Sequence, residues 1–138
     1  MTSNTNPESV VRAFFESWEA DGFVPAFQRY LDPEALWQNC GFPDCKGRDA
    51  CLGLLRHYQQ FSQMPYARVR IKHMASVGNT VLTERIDHLY NADRSRQHSA
   101  WIMGTFEVSN GLITRYSDYF DPGPFKDMIA RTERRVSA

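Results

Sequence analysis

The hydrophobic period of this chain changes once, at Met64-Pro65, and that change constrains the fold more than any other feature. Before it, apolar residues recur at helical spacing; from Tyr66 onward they alternate. Val11, Phe14, Phe15 and Trp18 form one apolar stripe, with Asn6 as N-cap and Pro7 at the first helical position. Phe23, Phe27, Tyr30 and Leu31 form a shorter stripe closed by Asp32-Pro33. Residues 35–39 read as a short strand with Ala35, Trp37 and Asn39 on one face, and 41–47 as a loop. Cys51, Leu54, Leu55 and Tyr58 mark a third helix over 49–60. Candidate strands then cover 66–77, 80–91, 97–109 and 112–121, with Gly78-Asn79 and Asn110-Gly111 as hairpin turns. Pro122-Gly123-Pro124 stops the last strand, and 125–131 form a short terminal helix. Helices followed by a four-strand meander predict an α+β fold. N-terminal helices pack on one face of a strongly curved, mixed or antiparallel sheet. Such a sheet is cone-shaped, and its interior suits a small apolar ligand.

At 138 residues the chain is expected to be a single domain, 1–138, with a genuine core. A hydrophobic content of 42% excludes disorder. Sixteen basic residues balance sixteen acidic ones, and only Arg131, Arg134 and Arg135 cluster, which argues against a nucleic-acid partner. The polar opening from Met1 to Asn6 is not a signal peptide. No apolar stretch approaches the roughly 20 residues that span a bilayer, so no membrane partner is expected. Three cysteines, an odd number without an export signal, read as reduced thiols in a cytoplasmic protein. Cys40, Cys45, Cys51 and His57 match no structural zinc spacing, so no metal is expected. No Gly-rich phosphate loop occurs, and no nucleotide cofactor is implied.

The residues that carry chemistry lie in two of the predicted strands. Arg85 and Asp87, two apart, point to the same face. Asp118 shares a face with Tyr116 and Phe120. Two carboxyls around one guanidinium carry one excess negative charge if both ionise. Burial then favours one shared proton, leaving one acid and one base. The competing reading is a structural ion-pair network, which perturbs pKa values in the same way.

Several segments resemble the limonene-1,2-epoxide hydrolase family. They are Thr83-Glu84-Arg85-Ile86-Asp87, Gly104-Thr105-Phe106, Asn110-Gly111-Leu112-Ile113 and Ser117-Asp118-Tyr119-Phe120-Asp121. Gln38-Asn39 and Gly47-Arg48-Asp49-Ala50 fit upstream, in the same order. The likeness spans roughly Val11 to Met128. It implies a nuclear-transport-factor-2-like, SnoaL-like cone and a cofactor-independent epoxide hydrolase that yields a vicinal diol in one step. By the same resemblance Asp118 is the general base, Asp87 the general acid, Arg85 the bridge between them, and Asn39 a water-positioning residue. It also implies a homodimer. Trp37, Leu89, Ala100, Ile102 and Phe120 are the candidate substrate contacts. The family places a Tyr two residues before the water-positioning Asn, where this chain has Trp37. An indole N–H only donates, whereas a phenol also accepts. Two alternatives stay open: an isomerase, cyclase or dehydratase of the ketosteroid-isomerase or SnoaL-like kind using an Asp base, and a non-catalytic ligand-binding dimeric module.

Overall fold

The first helix begins where its capping chemistry places it. Asn6 Oδ1 accepts from the Ser9 backbone N–H at 3.2 Å, Pro7 occupies the first turn, and α1 runs Pro7–Ala20. The protein is described from a computed structural model covering residues 6–137; the polar opening at 1–5 and Ala138 lie outside the described residues. α2 (Phe23–Tyr30) leads directly into β1 (Leu31–Asn39). β2 (Cys45–Lys46) and α3 (Arg48–Ser62) follow, then β3 (Tyr66–Val77), β4 (Thr80–Tyr90), β5 (Gln97–Ser109), β6 (Leu112–Tyr119) and α4 (Gly123–Ser137).

The six strands form one sheet in the order β2-β1-β6-β5-β4-β3. β3 to β6 are an antiparallel meander, and β1 joins its β6 edge in parallel, which makes the sheet mixed. The last hairpin has positive φ at both Asn110 (53°) and Gly111 (78°), as a two-residue turn matched to strand twist requires. Register shifts interrupt the β3–β4, β5–β6 and β1–β6 ladders. Such bulges bend long strands and close the sheet into a cone.

Helix α1 lies across the concave face. Phe14 and Phe15 pack edge-on against Phe106 of β5, Phe14 also against Tyr116 of β6, and Trp18 lies tilted against Tyr116. Full burial of such side chains contributes about 1.5–3 kcal/mol each. This stripe is the core that helical spacing predicts.

Three boundaries differ from the sequence reading. β1 starts at Leu31 rather than at 35, because Asp32-Pro33 lies in the extended edge of a strand whose ladder is irregular between Leu31 and Leu36. The 41–47 loop contains β2, two residues paired to Leu36 and Trp37. Helix α4 extends to Ser137, well beyond 131.

Candidate functional site

Strand alternation and one long-range pairing bring the charged residues together. Leu82, Glu84 and Ile86 face outward, whereas Val81, Thr83, Arg85 and Asp87 face the cone. β5 lies between β4 and β6, pairing Thr83 with Gly104 and Gly104 with Asp118. Arg85 therefore reaches Asp118 across a strand that presents no side chain at that point. A methyl group at Gly104 would collide with both Arg85 Nη1 and Asp118 Oδ1.

All three nitrogens of the Arg85 guanidinium donate hydrogen bonds. Its Nε and Nη2 donate to Asp87 Oδ1 and Oδ2 at 2.8 and 3.2 Å. Nη2 also donates to Asp118 Oδ2 at 2.7 Å, and Nη1 to Thr83 Oγ1 at 3.1 Å. Thr83 in turn donates to the Gly104 carbonyl. The rings of Phe15, Trp18 and Phe106 surround the cation at 4.9–5.8 Å. Arg85 is 1% exposed, and both carboxyls 4%.

Burial sets the electrostatics. It opposes the charge on Arg85, yet the Asp118 and Asp87 carboxylates outweigh it and hold the guanidinium well above its ordinary pKa. Burial raises Asp87 to about 6, assisted by the Asp118 charge and opposed by Arg85. Tyr116 Oη donates to Asp118 Oδ2 at 2.7 Å, and burial followed by the Asp118 charge keeps this phenol protonated far above its usual range.

Asp87 and Asp118 form one end of a cavity of about 140 Å³ with an overwhelmingly apolar wall. Of the residues expected at the site, Trp37, Asn39, Leu89, Ile102 and Phe120 line this chamber with the two carboxyls. Arg85 sits behind them. Ala100 pairs with Asp87 in the ladder but is not part of the chamber wall. Asn39 stands opposite Asp118 on the parallel β1–β6 pair, and Trp37 opposite Tyr116. Phe125, Met128 and Ile129 of α4 also line the chamber.

Sequence reasoning left out Thr83, Gly104 and Tyr116. Alternation put Thr83 on the Arg85 face and Tyr116 on the Asp118 face, which was the available signal for both. Gly104 stood within a resembling segment, but its part depends on two neighbouring strands. The cysteines lie apart from this chemistry. Burial pushes the Cys51 thiol up to about 12, which leaves it a poor nucleophile. Among the described residues, no group of three or more His, Cys, Asp or Glu is arranged to hold a metal. No helix among them is long and apolar enough to cross a membrane.

A curved α+β sheet with a buried carboxyl–guanidinium–carboxyl cluster facing an apolar chamber defines a class, and comparison with known proteins supplies the family. Residues 5–134 match the model of the limonene-1,2-epoxide hydrolase catalytic domain, and the chain belongs to that family. It is 32% identical over 127 residues to epoxide hydrolase EphG of Mycobacterium tuberculosis, covering 86% of this chain and 81% of that protein. A solved M. tuberculosis LEH-like epoxide hydrolase superposes with a TM-score of 0.71 at 28% identity, covering 95% of this chain and 90% of that one. An NTF2-like protein of unknown function from Burkholderia pseudomallei matches at a TM-score of 0.71 and 16% identity, over 93% and 98% of the two chains, a likeness of fold.

Proposed function

We propose that this protein hydrolyses a hydrophobic small-molecule epoxide to a vicinal diol by one-step general acid/base addition of water. The observation that carries the reading is the single buried Arg85 shared by Asp87 and Asp118 at the polar end of an apolar chamber. Family membership supports it.

In this mechanism Asp118 takes one proton from water as the water oxygen forms its bond to an epoxide carbon. The epoxide C–O bond breaks, and its oxygen takes the proton of Asp87. Asp118 ends protonated and Asp87 ionised, and one proton returned between them restores the site. Two carboxyls in opposite protonation states are what this exchange needs. Arg85 holds both in place through either state, and Asn39, in register with Asp118, orients the water. Trp37, Leu89, Ile102 and Phe120 hold the apolar body of the substrate. The outward apolar patch around Trp101 serves a homodimer contact.

The test is hydrolysis of an epoxide panel in isotopically labelled water under single-turnover conditions. The label is expected in the diol and absent from Asp118, because no covalent carboxylate ester forms. Asp118→Asn and Asp87→Asn each lower turnover by roughly 10²–10⁴-fold, and the double variant is little worse. Proton exchange into a ketone substrate, with no diol from any epoxide, would favour the isomerase or cyclase alternative.

A further inference from the structure

We infer that Tyr116 is a positioning residue that holds the attacking water against Asp118, an inference that rests on the hydrolase reading above. Asp118 Oδ2 accepts from both Arg85 Nη2 and Tyr116 Oη, so the phenol stands beside the carboxyl oxygen that takes the proton of the water. Oδ1 is buried, has no hydrogen-bond partner among the described residues, and faces the bare backbone at Gly104. The Tyr116 hydroxyl commits its proton to Asp118 and keeps its own lone pairs. Its side chain lines the chamber. A water that gives one proton to Asp118 turns its other toward that phenol oxygen, which leaves its lone pair aimed at the substrate. Trp37 cannot take this part, because its one polar atom is an N–H donor. Trp37 and Tyr116 are register partners on adjacent strands, with rings 6.2 Å apart and 23° from parallel. A hydroxyl introduced at 37 therefore enters the same corner of the chamber from the next strand.

Tyr116→Phe keeps the ring and its stacking on Phe106, and an unchanged melting temperature verifies the fold. It is expected to lower kcat by about 10²-fold, the scale of a misplaced reactant, with KM within about threefold. Adding Trp37→Tyr to Tyr116→Phe restores kcat by about tenfold or more. A purely structural role would show no such rescue. A Tyr116→Phe enzyme with wild-type kcat, or a loss that Trp37→Tyr leaves unrepaired, overturns the inference while the hydrolase reading stands. A wild type that forms no diol overturns both.

Discussion

The two faces of β4 and β5 invert the usual sorting of side chains. Inside the cone stand an arginine and an aspartate, nearly fully buried; outside stand Trp101, 80% exposed, and Met103, 54% exposed. The strand register places Trp101 opposite Ile86 and Met103 opposite both Glu84 and Tyr119, so the outer apolar residues form one patch. A buried ion cluster is expensive to desolvate and is seldom the stabilising choice over apolar packing. One ladder thus carries a buried ion cluster on its concave side and an exposed apolar patch on its convex side, and apolar core packing accounts for neither.

Substitutions on the two faces test this division. Arg85→Met leaves two carboxyls buried without their cation and is expected to cost about 3–5 kcal/mol of unfolding free energy, read by urea denaturation near neutral pH. The next effect is a pH dependence. Asp87 titrates at about 6 in the folded chain against an ordinary 3.8, so the folded state binds the proton more tightly. Its stabilising contribution is complete below pH 3.8 and is lost as pH rises through about 6, on the order of 3 kcal/mol. Asp87→Asn should flatten that part of the stability–pH curve; a wild-type curve already flat between those values would contradict the burial argument. Gly104→Ala forces a methyl between two charged groups and should cost about 1–3 kcal/mol together with most turnover. Trp101→Glu, on the other face, should change the unfolding free energy of the monomer by less than about 0.5 kcal/mol. Its effect belongs in sedimentation, as a lower assembled mass, and a large loss of stability would mean that the convex face is part of the core.

Local patterns made much of this legible. Period-two spacing put Arg85 beside Asp87, and Asn110-Gly111 located the tight hairpin, because both are decided within a few residues. The β1–β6 pairing was not legible, since 31–39 and 113–118 meet only through the assembled sheet. Asp32-Pro33 read as a stop because those residues favour turns, whereas the sheet edge tolerates proline. The extent of α4 was hidden because Thr132-Glu133-Arg134-Arg135 carries no apolar stripe. Family resemblance named Asn39 and Asp118; the contact between Tyr116 and Asp118 depends on where a side chain reaches within the cone, which alternation alone does not state. Ala100 shows the converse. Its face was inferred from its neighbours, yet the chamber ends short of it.

The parallel pairing of β1 with β6 also bears on how the protein is made. A ribosome releases Asn39 early and Asp118 last, with the whole meander between them. Until β6 slots in between β1 and β5, Arg85 has one carboxylate and Asn39 has no Asp118 opposite it. Contacts at such sequence separation form late, because the intervening chain must first be ordered. The guanidinium–carboxyl cluster is therefore complete only once β6 has joined the sheet, and the chamber only once α4 has closed over it.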